Sequence, residues 1–523
     1  MRKIFVLIAG LHFCCAYAQQ LEDPTVMTVA GVEVPLSEFL FLAQKDNEVN
    51  LLDKKSLENY VELFKNFKLK VADAKSARIQ ESRSFQEELA TYHAQLLASY
   101  LSDKAGEEQV IRKVYERGKE VLTLSHIMFK LPEKSLPKDT LEVFNKANAI
   151  YKRIVAGEDF NALGQALKED ENSEVIYEEI DYVFPLQAFM AFEEMAYSLS
   201  EGKLSTPVRT PLGFHIILMR RKTIEPGSLQ VAHILFQSAE SAPEDDEALL
   251  KRANEVYAKI KAGEDFGDLV KNHSADESTR FTGGILPYFS VGSMVLPFEQ
   301  AAFALENIGD LSEPVQSRFG YHIIQLLDKQ AFPSFEEMAQ SIYSTMNQSE
   351  WNHELKKSMD ERLKEKFGFI CYPEAYEELL KLCDDYFPTD QEFYDRASKM
   401  TKPIMRLNTI ERDFPQDEFA AYMRLKTWSK YTYSKDYLNE MFIFFVREIL
   451  TTLEKTDLEE KNPEFRQLMN EYHDGILLFE ISTHRVWSQP VEEQAKAEQE
   501  WIKELNETYK VEINWNVLNN LKN

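Results

Sequence analysis

The chain has 523 residues, 44% hydrophobic and 28% charged, an ordinary composition for a globular protein with material for several cores at roughly 150 residues each. Its 60 Lys and Arg stand against 87 Asp and Glu, a formal charge of −27, and a polyanion repels phosphate backbones instead of releasing their counterions. Nucleic acid is thereby a poor candidate partner, and no stable membrane insertion is expected, because no apolar run reaches the roughly 18 residues of a bilayer-spanning helix.

In chain order, Met1-Arg2-Lys3, the apolar stretch Ile4 to Leu11 and the Ala16-Tyr17-Ala18 exit form the three parts of a cleavable secretory signal, with cleavage expected after Ala18. Loss of Arg2 and Lys3 would leave a mature charge of −29. Phe13 stands where a lipid-anchoring site before Cys14 or Cys15 needs a small residue. The following region is mainly helical in pattern. Leu57, Val61, Phe64, Lys68 and Val71 trace one stripe, and Phe85, Leu89, Tyr92, Leu96 and Tyr100 trace another.

The middle of the chain is duplicated. TLSHIMF, with His126, returns as QVAHILF, with His233; TPVRTPLGFHII, with His215, returns as EPVQSRFGYHII, with His322; AGEDF at 156–160 returns at 262–266. Each copy opens on a strand whose alternate residues (Val231, His233 and Leu235) share a face. A helix follows, with apolar positions at Ala253, Tyr257 and Ile260 (Ala147, Tyr151 and Ile154 in the first copy) and Gly263 or Gly157 placed to end it in a left-handed cap. Each copy closes on a Gly-aromatic-His-Ile-Ile strand. Strands at both ends and helices between predict an α+β unit in which the end strands pair and bring the two histidines together.

Beyond the repeat, Pro35, Glu38 and Phe39 are echoed by Pro415, Glu418 and Phe419, each set after an extended piece. Two such matches are short enough to arise by chance; a shared origin would make the C-terminal region a second chaperone-like half. Cys371 and Cys383 flank a predicted helix that would hold them roughly 18 Å apart, beyond disulfide reach, and are expected to be two free, buried thiols. The chain has no G-x-x-x-x-G-K-[ST], H-E-x-x-H, G-x-S-x-G or paired C-x-x-C, so no cofactor or metal is expected.

The HILF strand, AGEDF, the Ser-x-Asp before Gly283-Gly284, the Met-x-x-x-Phe of Met294 and Phe298, and the closing FGYHII together resemble a parvulin-type peptidyl-prolyl isomerase domain, most completely in the second copy. The resemblance implies a proline pocket lined by Leu286, Met294 and Phe298 and supported by Phe289. It also implies catalytic or supporting roles for His233, His322, Ser317 and Asp276, with no covalent step. From the residues alone, the histidines fit a hydrogen-bonded core as well as they fit catalysis, and Met294 and Phe298 fit plain packing. Pro287 stands where the family usually has Gly, and proline cannot take positive φ, so an altered loop and weakened activity are expected. The first copy lacks the Gly-Gly pair, has Glu178 and Glu179 nearby and Ala188 in place of the methionine, and is expected to keep the fold but not the pocket.

The helical flanks around two such units, together with the VAGVEVPLSEFL start, resemble exported SurA-type chaperones, in which both ends build one module. The fold class expected is therefore α+β: two tandem parvulin-like domains between mainly helical chaperone segments. The expected boundaries are a signal at 1–18, an N-terminal helical segment at 19–120, a first parvulin-like domain with a degenerate site at 121–223, a second that carries activity at 224–330, and a mainly helical C-terminal region at 331–523. The function implied is a periplasmic foldase that binds unfolded exported proteins, outer-membrane precursors among them, and isomerises X-Pro bonds. The alternatives are a holdase or a protein-binding adaptor with inactive domains.

Overall fold

The computed structural model describes residues 23–47, 49–170, 174–237, 245–426 and 433–522. The signal segment lies outside the described residues. The chain divides into two compact units, one made of residues up to Leu101 with those from Thr452 onward, the other of Ser102–Thr451.

The first unit is built from both ends of the chain. Strand Thr25–Val29 lies at the centre of a three-stranded antiparallel sheet, between Val32–Pro35 and the far C-terminal Val511–Ile513. Helix Leu36–Ala43 and the long helix Lys54–Ser76 follow, the latter started by Asp53, whose carboxylate accepts from the Ser56 N–H. Leu57, Val61, Phe64 and Val71 of the predicted stripe are buried, and Phe39 packs edge-on against Tyr60 and Phe64. Lys68, which interrupts that stripe, pairs with Asp474 at 2.7 Å and with Glu38. The second stripe is only half realised: Phe85 is buried, whereas Leu89, Tyr92, Leu96 and Tyr100 are half-buried, Tyr92 stacked on Tyr472.

The second unit holds the duplicated α+β domains. Each is a four-stranded antiparallel sheet whose central pair is the first and last long strand of the copy. In the second copy Ser228–Phe236 pairs with Gly320–Gln330, between the short strands Phe289–Ser290 and Val315–Ser317. In the first, Glu120–Lys130 pairs with Gly213–Ile224, between Val175–Val183 and Val208–Thr210. In the second domain, Ala232, Ile234 and Phe236 bury one face of the strand under helices Asp246–Lys261 and Phe266–His273. The alternate residues Leu229 and Val231 pack on the other face against Phe298 and Ala302 of helix Leu296–Phe303. The repeated AGEDF is a helix-to-helix joint. Gly157 and Gly263 take φ of +105° and +98°, and Asp159 and Asp265 each cap the following helix by accepting a backbone N–H three residues on.

The two Pro-x-x-Glu-Phe segments have the same structure. Pro403–Leu407 pairs with Arg412–Pro415 and runs into helix Gln416–Leu425, as Thr25–Val29 pairs with Val32–Pro35 and runs into Leu36–Ala43. Both hairpins carry a register shift beside the first strand's start, and Phe39 and Phe419 are both fully buried. In each case a third strand joins the first: Val511–Ile513 in one unit, Phe369–Cys371 in the other.

Cys371 and Cys383 are both free, but only Cys383 is buried. The expectation of two buried thiols fails at Cys371 because it sits on an edge strand, paired with the buried Met405 on one side only. Among the described residues, no helix is long and apolar enough to cross a membrane.

The Gly before each closing aromatic-His pair is demanded by close strand approach. At Gly320 (φ +127°) a Cβ would stand 2.1 Å from the Phe236 carbonyl oxygen, whereas at Gly157 it would meet open space. Gly320→Ala is expected to cost about 2 kcal/mol or more and to speed amide exchange along residues 320–330 by about 30-fold. Gly157→Ala, strained only by its φ, should leave that strand's exchange unchanged; hydrogen exchange read by mass spectrometry measures both.

Candidate functional site

Antiparallel pairing sets His233 opposite Ile324 and His322 opposite Leu235, so the two imidazoles are diagonal neighbours on one face. Both are about 5% exposed. Their rings lie nearly parallel, 14° apart, and meet Nδ1 to Nδ1 at 3.4 Å. Ser317, on the neighbouring short strand, places its hydroxyl 2.6 Å from His322 Nε2. At the other end Asp276 Oδ2 lies 2.9 Å from His233 Nε2.

The Ser-x-Asp turn explains how Asp276 arrives there. Ser274 Oγ accepts the N–H of both Leu235 and Asp276, and Ala275 N–H donates to the Leu235 carbonyl, so the turn is stitched to the His233 strand. Asp276 also accepts from the Ser278 N–H and hydroxyl and from the Thr279 hydroxyl. Burial pushes its carboxyl pKa up, but the hydrogen bonds from Ser278, Thr279 and His233 outweigh burial and hold it well below the ordinary carboxylate range. Burial, and then the neighbouring His233, push His322 down to about 4.

These states constrain the hydrogen bonds. A carboxylate only accepts, so His233 carries a proton on Nε2, which it donates to Asp276. A neutral His322 donates from one ring nitrogen and accepts at the other, between His233 and the Ser317 hydroxyl.

Over this chain lies the apolar part of the site. Phe298 meets both imidazoles edge-on, its centroid 5.7 Å from His233 and 5.2 Å from His322. Phe289 and Phe298 are buried; Leu286 and Met294 pack against them half-buried. All eight residues singled out in the sequence therefore gather on one sheet face. Gly283 and Gly284 both take positive φ, and Gly284 presses so close to His233 that a Cβ would stand 2.4 Å from its carbonyl oxygen. The backbone there bonds reciprocally: His233 N–H donates to the Gly284 carbonyl, and Leu286 N–H to that of Val231. Pro287 falls after these bonds, exposed, so it removes no donor from them.

Sequence reasoning missed Glu299. Its side chain is 1% exposed, and its Oε2 accepts the Gly292 N–H at 2.7 Å and the Met294 N–H at 3.3 Å, fixing the backbone that carries Met294. The available signal was a repeated Phe-Glu, at 192–193 and 298–299, on otherwise apolar helix starts. Glu193 does the same in the first copy, accepting the Ala188 N–H at 2.9 Å.

The first domain keeps the whole polar chain. His126 and His215 meet at 3.3 Å, Thr210 takes the place of Ser317 at 2.8 Å, and Phe192 packs edge-on against both rings. The acid comes from a different position: Glu178, on strand Val175–Val183, stands 3.4 Å from His126 Nε2. Burial lowers both imidazoles, His215 to about 3. Ala188 stands in the place of Met294, its N–H held by Glu193 as that of Met294 is held by Glu299. A cavity of about 600 Å³ in this domain, lined by Asp139, Glu142, Val143, Lys146 and Ile150 among others, lies on the helix-covered face and not at the histidines.

A profile of the PPIC-type PPIase (rotamase) domain matches residues 126–221 and again 233–328. Among curated proteins, the chain is similar to "Chaperone SurA" of Pseudomonas aeruginosa, 30% identical over 238 residues that cover 45% of this chain and 56% of the relative. It is also similar to "Chaperone SurA" of Hahella chejuensis, 30% identical over 259 residues, 48% of this chain and 58% of the relative. The chain spans about half the length of the curated relatives it matches. Among solved structures, the parvulin of Nitrosopumilus maritimus is 40% identical, covering 20% of this chain and 97% of its own, with a TM-score of 0.16.

Because His322 is depressed from about 6.5 to about 4, the unfolded chain takes up a proton that the native domain refuses. The stability this contributes is complete above pH 6.5 and is lost as pH falls toward 4. Ring NMR should show His322 unprotonated at pH 6, and the denaturant midpoint of the second domain should fall between pH 6.5 and 4. Titration of His322 near 6.5 would contradict the burial argument.

Proposed function

With two PPIC-type peptidyl-prolyl isomerase domains in tandem in this chain, we propose that the protein is an exported foldase that holds unfolded envelope proteins and isomerises X-Pro bonds, chiefly in its second domain. The observation that carries the reading is the seating of Leu286, Met294 and Phe298 on the sheet face that bears the Ser317–His322–His233–Asp276 chain.

Rotation about X-Pro faces a barrier of ~18–20 kcal/mol, because the planar amide is conjugated and dipolar. No heavy-atom bond forms or breaks, so catalysis reduces to favouring the twisted amide over the planar one. An apolar socket suits that task. The proline ring enters against Phe298 and Met294, the amide leaves water, and the planar form loses more solvation than the less dipolar twisted form. The neutral imidazole of His322 keeps the floor uncharged, so no strongly hydrated group competes for the space. Asp276, at the edge of the site, orients His233 and supplies a fixed negative charge that disfavours the build-up of negative charge on a planar amide's oxygen. The chemistry calls for no metal or cofactor.

The first domain, with Ala188 at the pocket and strand Val175–Val183 in place of the Gly-Gly loop, is the weaker catalyst on this reading. Client holding falls to the helical regions at 19–120 and 331–523, each of which contains a hairpin-helix module; the C-terminal region supplies the third strand of both, Val511–Ile513 to one and Phe369–Cys371 to the other. The expected clients are unfolded exported proteins, outer-membrane precursors among them, met in the periplasm after removal of residues 1–18.

Uncatalysed prolyl isomerisation takes ~10–100 s at 25 °C, so proline-limited refolding of a model substrate reads the activity directly. Met294→Ala and Phe298→Ala are each expected to lower catalysed refolding by about tenfold or more, a loss of ~1.4 kcal/mol or more of transition-state stabilisation. Neither should change suppression of client aggregation by more than about twofold, because that function lies elsewhere in the chain. An unchanged refolding rate in both variants would remove the catalytic assignment and leave a holdase.

A further inference from the structure

The loop that carries Met294 has a neighbour from outside its own domain. Tyr182 and Phe184, at the end of the first domain's strand Val175–Val183, lie against Gly292 of the second. A Cβ built on Gly292 would stand 3.4 Å from Phe184 Cε2 and 3.4 Å from Tyr182 Cδ2, so both rings border the space beside the bare Cα. Gly292 also takes φ of +82°. The turn is therefore intrinsically soft, and its conformation depends on what braces it.

The brace from inside the domain is Glu299, through the Gly292 and Met294 N–H groups. Its other oxygen, Oε1, is buried with no hydrogen-bond partner of good geometry among the described residues. Beside the carboxylate stands the Tyr182 hydroxyl: burial first, and then Glu299, push the pKa of that phenol up and keep it protonated. Glu225, in the segment joining the two domains, also faces Glu299, and Arg221 faces Tyr182. A buried carboxylate next to another acid needs a donor, and the phenol is the neutral donor at hand.

The first domain's equivalent loop is braced from outside as well. Glu193 accepts from Ala188 N–H, Glu350 accepts from Met190 N–H, and Leu186 and Met190 pack on the cluster around Trp351. In both copies, then, the pocket loop is held by its own glutamate on one side and by a foreign element on the other.

We propose that Tyr182 and Phe184 of the first domain are positioning residues for the proline pocket of the second, setting the Gly292–Met294 backbone through Glu299 and through direct contact with Gly292. The first domain thus completes its neighbour's site in cis. This rests on the reading of Met294 and Phe298 as the proline pocket.

The test uses the full chain with methyl-labelled methionine, comparing Tyr182→Phe, Tyr182→Ala and Phe184→Ala with the parent. The Met294 methyl resonance, assigned with Met294→Leu, reports position, and a proline-containing tetrapeptide reports KM and kcat. Tyr182→Ala and Phe184→Ala are expected to move the Met294 methyl, leave the His322 ring resonances in place, and raise KM about fivefold with kcat within about twofold. Tyr182→Phe, which keeps the ring and loses only the donor, should fall between. A Met294 methyl that stays in place, with KM within about twofold, in both alanine variants overturns the proposal. Should the parent show no isomerase activity, the catalytic reading of the second domain fails, while the methyl shift still decides whether the first domain sets this loop.

Discussion

The site depends on one contact: the antiparallel pairing of the first and last long strands of each domain, which joins histidines 89 residues apart. Diagonal placement across that pair, and not sequence proximity, makes the two imidazoles touch. Once they touch inside a core, each must satisfy two ring nitrogens without water. The strand edges supply what is needed: a hydroxyl from the short neighbouring strand and a carboxylate from a turn sewn to the first strand. The depressed pKa of His322 follows from burial, and the ionised acid follows from its own donors. The polar chain is thus a consequence of the sheet, and Phe298, with Leu286 and Met294 packed beside it, lies over the two rings.

The two copies show which parts of this arrangement are constrained. Histidine pair, hydroxyl, edge-on phenylalanine and the loop-holding glutamate stand in both. What differs is the segment laid over the first strand. In the second domain it is a loop that uses two glycines to come within backbone contact of His233. In the first it is a full strand, whose Glu178 brings a carboxylate to His126 from a different place in the chain. An acid beside the first imidazole is therefore reached by two backbone routes, whereas the pocket methionine is present by only one. The same economy appears outside the duplicated domains, where a hairpin, a buried Phe and a third strand recur, closed in one unit by the C-terminal Val511–Ile513 and in the other by the nearby Phe369–Cys371.

Much of this was legible in the residues. Period-two alternation identified the faces of the central strands, the 107-residue repeat identified the unit, and the glycine of AGEDF marked a helix end, because each is a local rule about where a side chain points or which φ a residue tolerates. Local rules did not find Glu299, Glu178 or Thr279, whose effect lies in what they meet across the fold. Nor did they explain Lys68 in its apolar stripe, which is satisfied by Asp474, 406 residues away. They also misplaced Cys371, since whether a strand lies at a sheet's edge is not written in its own few residues.

The sequence by itself determined the duplicated α+β architecture, because periodicity, glycine placement and repeat spacing are properties of short stretches of chain, while the eight residues that gather at the histidine pair were picked out by resemblance to a family. Only the tertiary structure decided that the imidazoles form a hydrogen-bonded chain and that both ends of the protein close one sheet. It also decided that a tyrosine of one domain lies on the pocket loop of the other. Each of these is a contact between distant residues, set by how strands register and faces pack, and so exists only once the chain has folded.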